Sequence, residues 1–232
     1  MRKMFTALAT AAALLSFGAT AAQASVAGRT PGATPACGSQ CFELSSLRLG
    51  THVIQNAYVH GDTGVGGRRG VKINLHGATN ARPNEDFTGA AVGSLSQFCG
   101  SLIPADSYAC LNYPGSYPVY ESDWSPFGNQ RDLCVGVGVP GIAGENVTLQ
   151  PCGQSAATLW VGDMSHSYTY QGNTYTPWVN AADANFSHPL VLTVDTGSRH
   201  PWDQLKLQRL NLLSGHTVPD NQMFTLQFGP EV

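Results

Sequence analysis

Leu133-Cys134-Val135, then a Gly-rich loop, then Val147-Thr148-Leu149 and finally Trp160: this order decides the fold, because the chain carries it three times. Leu190-Val191-Leu192 leads through a Gly-containing loop to Leu205-Lys206-Leu207, with Phe224 after it. Ala57-Tyr58-Val59 leads through a Gly-rich loop to Val71-Lys72-Ile73-Asn74-Leu75, with Phe87 after it. Apolar and polar residues alternate in the second strand of each copy, the period of a half-buried strand. A short strand, a loop, an alternating strand and an aromatic make one supersecondary unit. Such a unit cannot bury its apolar side alone, so the copies must close on one another. The aromatics Phe87, Trp160 and Phe224 stand 73 and 64 residues apart and are expected as core plugs.

Working outward, the rest of the chain reads the same way. Phe42-Leu44 and Leu47-Leu49 alternate, and the 26 Gly and 14 Pro supply frequent breaks. No window gives a long amphipathic helix. Many short strands separated by turn signals predict an all-β sandwich or barrel. A β-sandwich is the alternative, but two stacked sheets give no reason for three copies. A pseudo-threefold barrel capped by hairpins does. Tyr168-Thr169-Tyr170, a Gln-Gly-Asn turn and Tyr175-Thr176 predict a further hairpin. Its aromatics, with Trp178, suit a sugar ring or a partner protein, or else form a cross-strand ladder that only holds the hairpin.

The ends and the composition bound the function. Residues 1–24 read as a signal peptide: Arg2 and Lys3, an apolar run from Met4 to Thr20, and Ala22-Gln23-Ala24 as a cleavage site. An extracellular chain is therefore expected, with a flexible leader over 25–41 and one domain over 42–229. Its lobes fall at about 42–115, 116–182 and 183–229. No second apolar span follows, so membrane insertion is not expected. Without Arg2 and Lys3, 10 basic residues face 15 acidic ones. No basic cluster exceeds Arg68-Arg69, so the electrostatic footprint of a nucleic-acid binder is missing. Six Cys in an exported chain read as disulfides, with 15 possible connectivities. Sequence proximity suggests Cys37–Cys41, Cys99–Cys110 and Cys134–Cys152. Metal binding is the rival reading, and Cys-x₂-Cys is absent.

These residues together resemble a ricin-B-type β-trefoil lectin. In that family each lobe has a Cys-x₁₇-Cys-like pair and ends in Asn-Gln-x-Trp/Phe. Cys134 and Cys152 have that spacing, and Asn221-Gln222-Met223-Phe224 matches the ending in full. Asn84-Glu85-Asp86-Phe87 matches with Glu for Gln, and Ala157-Thr158-Leu159-Trp160 keeps only the aromatic. The resemblance spans roughly residues 42–229 and implies one sugar site per lobe, built from a loop Asp and the Asn of the ending. A carboxylate and an amide would receive the sugar hydroxyls, and an aromatic face would cover the C–H side of the ring. Asp195 with Asn221 would form the site of lobe three, and Asp62 with Asn84 that of lobe one. Lobe two, with Val137 and Ala157 at these places, would be silent. The family's Asp follows the first-strand Cys by about two residues, where this chain has Gly136. No aromatic matches the family's, and Trp202 is the nearest substitute. Asp62 and Asp195 also read simply as openers of tight turns, which Asp and Gly favour.

Other motifs carry less. Asp62-Thr63-Gly64 and Asp195-Thr196-Gly197 resemble the paired loops of aspartic proteases, where two carboxylates share a proton. Only 37 residues follow Asp195, too few for the second lobe such an enzyme needs. Gly136-Val137-Gly138-Val139-Pro140-Gly141 satisfies Gly-x-Gly-x-x-Gly but leads into a strand, not the helix a dinucleotide site requires. No Gly-x-Ser-x-Gly elbow appears, and no two of the seven His have helical ligand spacing. The expectation is a secreted, non-catalytic protein without cofactor that binds carbohydrate. Its alternatives are a trefoil protease inhibitor presenting Arg131 or Arg199-His200-Pro201, and a structural protein without a ligand.

Overall fold

Alternation in Ile73-Asn74-Leu75, Val147-Thr148-Leu149 and Leu205-Lys206-Leu207 gives each stretch one apolar side, and all six apolar members are buried. The computed structural model describes residues 42–49, 53–56, 69–76, 87–126, 130–182, 189–197, 205–214 and 217–228. The strands are β1 (Phe42–Ser46), β2 (Val53–Asn56), β3 (Ile73–His76), β4 (Phe87–Ser94), β5 (Pro118–Trp124), β6 (Leu133–Gly136) and β7 (Thr148–Pro151). They continue as β8 (Trp160–Gly162), β9 (Tyr168–Tyr170), β10 (Asn173–Tyr175), β11 (Trp178–Asn180), β12 (Leu190–Val194), β13 (Leu205–Arg209) and β14 (Phe224–Phe228). Two single-turn helices, α1 (Leu95–Phe98) and α2 (Tyr108–Asn112), interrupt them.

Six strands close a ring. β14 pairs β1 from Phe42↔Phe228 to Ser46↔Phe224, β4 pairs β5, β5 pairs β8, and β8 pairs β11. Thr176, just before β11, exchanges two backbone hydrogen bonds with Phe224 at 2.8 and 3.0 Å, and β1 lies beside β4. Three hairpins, β2–β3, β6–β7 and β12–β13, cap the ring. Their second strands interlock about the pseudo-threefold axis. Ile73 N–H donates to Val147 C=O at 2.9 Å, Val147 N–H donates to Leu205 C=O at 3.0 Å, and β13 lies beside β3. The fold is a β-trefoil. A sandwich is excluded because two stacked sheets would not bring three hairpins together on one axis, as the hydrogen bonds from Ile73 to Val147 and from Val147 to Leu205 do here.

Inside, equivalent positions of the three lobes meet. Phe87, Trp160 and Phe224 are almost wholly buried, at 0, 1 and 0% exposure, and serve as the expected plugs. They join the other two triplets, Ile73/Val147/Leu205 and Leu75/Leu149/Leu207, in one cluster. Trp160 differs from its Phe counterparts in carrying a polar handle, and its Nε1–H donates to Val135 C=O at 2.9 Å. Gly136 is required by crowding: a Cβ there would lie 2.8 Å from Ala157 C=O.

The first two lobes are longer because chain is inserted between barrel strands. Residues 95–117 follow β4 as α1 and α2 and build a second small core from Leu95, Ile103 and Ala109 against Val161 and Ala181. Cys99–Cys110 closes this insertion, and Cys134–Cys152 ties β6 to the residue after β7. Cys37 and Cys41 lie outside the described residues. The β9–β10 hairpin forms as expected, turning through Gln171 and Gly172 at φ 49° and 81°.

Three local readings change. Leu47–Leu49 is a turn after β1, with Leu47 N–H bonded to Met223 C=O at 3.0 Å. The strand that pairs β3 is Val53–Asn56, and residues 57–59 lie outside the described part. By its pairing with β8, β11 acts as the first barrel strand of lobe three, although a boundary at residue 183 leaves it in lobe two.

Trp160→Ala is expected to lower unfolding free energy by about 3–5 kcal/mol in urea titration, as for any large core truncation. Trp160→Phe, which keeps the plug and orphans Val135 C=O, should cost only about 1 kcal/mol. Equal losses would show that the indole N–H, not the ring volume, matters at this place.

Candidate functional site

Lobe three shows how the strand pattern aims polar groups outward. Leu205 and Leu207 point into the core, so Lys206 between them points away, opposite Thr193 in the β12–β13 register. Its Nζ donates to Asp195 Oδ2 at 2.6 Å, and Asp195 Oδ1 accepts Gly197 N–H at 3.1 Å. The turn-opening role of Asp195 is therefore real. Above all the Lys206 hydrogen bond, helped by Gly197 N–H and opposed by slight burial, holds the Asp195 carboxyl below the usual carboxylate range. The group stays ionised and oriented.

The Asn-Gln-x-Phe ending sits in a single turn, Asp220–Gln222, leading into β14. Asn221 Nδ2 donates to Val194 C=O at 3.1 Å. Gln222 Nε2 donates to Thr193 Oγ1 at 3.1 Å and Arg209 C=O at 2.8 Å, while its Oε1 accepts Asn211 N–H at 2.8 Å. This pair stitches the end of the lobe to its hairpin. It also brings Asn221 beside Asp195, and both border one hollow of about 250 Å³ with Thr193, Gln208 and Asn211. A carboxylate has about four acceptor sites. Asp195 uses two of them among the described residues, so acceptor capacity remains for a ligand.

The other predicted residues divide plainly. Trp202, Asp62 and Asn84 lie outside the described residues, as do Arg199–Pro201. Arg131 is exposed in the β5–β6 connection. In lobe two Val137 and Ala157 are buried, and Ala157 C=O accepts Val137 N–H at 3.2 Å and Asn180 Nδ2 at 3.0 Å. Core packing occupies the place of a polar pair there. The Gly136–Gly141 stretch is a strand end and hairpin loop, closed by Glu145, which accepts the N–H groups of Gly138 and Ile142. Glu121 stands near Cys134 and Cys152, but the disulfide leaves no thiolate for a metal, and Glu121 accepts Gly153 N–H at 2.8 Å.

Sequence reasoning missed a larger cavity, about 730 Å³, between the turn after β1, residues 165–168 and residues 217–223. Asp163 organises one wall. Buried, it accepts Ser165 N–H at 3.0 Å, Ser165 Oγ at 2.5 Å and His166 Nδ1 at 2.7 Å. Asp-x-Ser-His is legible as a helix-cap signature, since Asp favours that position. The trio is not a nucleophile relay. Ser165 Oγ and Asp163 both face the same nitrogen, His166 Nδ1, at 3.1 and 2.7 Å, whereas a relay needs one on each side of the ring. Elsewhere, burial pushes the Asp123 carboxyl on β5 up to about 6, against the N–H groups of Arg131 and Leu133. It borders neither hollow.

No protein-family model matches the sequence, and no curated protein matches it. The chain is similar to the crystal structure of ThreeFoil, a designed three-fold symmetric protein, at 11% identity and a TM-score of 0.47. The likeness covers 80% of this chain and 96% of that one.

Replacing Lys206 by Met should raise the Asp195 midpoint in a carboxyl-carbon NMR titration towards the ordinary Asp value. An unmoved midpoint would remove the ion pair. Asp123 works in the opposite sense. Its folded pKa lies above the unfolded one, so the native state binds the extra proton and stability falls as pH rises from about 4 to about 6. Asp123→Asn should flatten that slope in denaturant titrations by about 1 kcal/mol, after discounting for solvent around a half-exposed group.

Proposed function

We propose that this chain is an exported, non-catalytic binding protein of the ricin-B-like lectin type, with lobe three as its carbohydrate site. One observation carries the reading. Asp195, from the end of β12, and Asn221, from the turn before β14, converge on one open hollow. Each is already held by the fold, so neither must be ordered when a ligand arrives, which lowers the entropic cost of binding. An ionised carboxylate is an acceptor for two sugar hydroxyls, and the amide offers both a donor and an acceptor. The disulfides support an oxidising, extracellular setting. Affinity at one such shallow site is weak, and useful avidity comes from several sites acting together.

A glycan array tests the proposal. Binding to at least one sugar series is expected, and Asp195→Ala should weaken it about tenfold or more, the loss of a charged hydrogen bond. Its melting temperature should fall by only a few degrees, because a partly exposed ion pair to Lys206 and one turn hydrogen bond together contribute about 1 kcal/mol. Undiminished binding by the variant would remove the site. Silence on the array, with tight inhibition of a secreted protease lost on Arg131→Ala, would put the inhibitor reading in its place.

A further inference from the structure

The hollow beside Asp195 does not end at Asn221. Thr196, Pro219 and Asn221 border both it and the 730 Å³ cavity, so the two are neighbours across a shared rim. Size separates their roles. Small-molecule sites usually enclose about 300–1,000 Å³. The hollow of about 250 Å³ falls below that range and holds one ring at an open surface, whereas the cavity falls within it and has room for more.

The cavity's chemistry is that of a neutral, hydroxyl-rich ligand. Leu47, Val218 and Met223 supply apolar wall, while Ser167, Thr196 and Thr217 supply hydroxyls. Arg48 and Asp220 contribute one charge of each sign, which favours no ion over a neutral molecule. Asp163 is an acceptor for His166 Nδ1–H, so in the neutral ring Nε2 is left as an acceptor for a ligand hydroxyl. Tyr168 stands at the rim. It is exposed, yet its ring is held by stacking on Tyr170 at 6.4 Å and 16° and by the register with Tyr175. A flat ring of this kind covers the C–H face of a sugar at little entropic cost.

We infer that the ligand of lobe three is a neutral oligosaccharide lying across both spaces, with one ring at Asp195 and Asn221 and the next in the cavity against Tyr168. This rests on the carbohydrate reading above and adds the ligand's length and charge to it. The β9–β10 hairpin thereby acquires a role in recognition.

The test uses mono-, di- and trisaccharides of each neutral series that binds on the array, titrated by calorimetry against the full chain. The parent should bind the trisaccharide at least tenfold more tightly than the matching monosaccharide. Tyr168→Ala should abolish that gain and leave monosaccharide affinity unchanged. Because Tyr168 is exposed, the variant should melt with the parent, and Arg48→Ala offers a second, independent surface change with the same expected direction. Equal affinity for one ring and three would overturn the extension while leaving the Asp195 site standing. A gain that survives both substitutions would overturn the path through the cavity. Selective tightening by acid-bearing oligosaccharides would overturn the neutral assignment, and failure to bind any sugar would overturn this inference together with the reading it rests on.

Discussion

The structure depends on three short strands that cannot each bury their own apolar side. Ile73, Val147 and Leu205 meet near one axis and are joined in part by backbone hydrogen bonds that run from one hairpin to the next. Backbone groups inside a core must be paired, and here each hairpin supplies the partner another lacks. Phe87, Trp160 and Phe224 then fill the barrel beneath. The lobes are thus mutually obligatory, because each hairpin's buried apolar side is covered by the other two.

That constraint explains where polar chemistry can go. A strand whose odd residues serve the core must send its even residues outward. Lys206 emerges this way between Leu205 and Leu207 and meets Asp195 across the hairpin. In lobe two the same logic has been spent on packing, with Val137 buried and Ala157 in the Asn position. The proposed site is consequently an outgrowth of the framework. Gln222 holds the hairpin and its neighbour Asn221 lines the hollow, so architecture and recognition draw on adjacent residues of one turn.

The insertions add what threefold symmetry does not. Residues 95–117 carry a disulfide and build a second core shared with Val161 and Ala181, and the β9–β10 hairpin stands between lobes two and three. The second insertion brings His166 and Tyr168 against the turn after β1 and the loop before β14, with buried Asp163 holding His166 from behind. A cavity formed this way belongs to no single lobe, and a repeat pattern alone would never place it.

The sequence by itself determined the threefold strand order, the aromatic plugs and the Tyr hairpin, and it suggested the Cys99–Cys110 and Cys134–Cys152 pairs, which the structure fixes among 15 connectivities. All are local or periodic signals, and alternation is a direct record of which side of a strand meets the core. It failed where that record is erased or ambiguous. Trp178-Val179-Asn180 is buried on both sides, so β11 leaves no alternation to read. Leu47 and Leu49 alternate yet form a turn, because Leu47 N–H finds its partner in Met223, far along the chain. Only the tertiary structure decided that Asp195 is tied to Lys206, that Asn221 stands beside it, and that a larger cavity opens at their rim. The first two are contacts across a hairpin and its following turn, and the cavity joins Leu47 and Arg48 to residues more than a hundred positions away; none of these meetings leaves a periodic trace in the segments that make them.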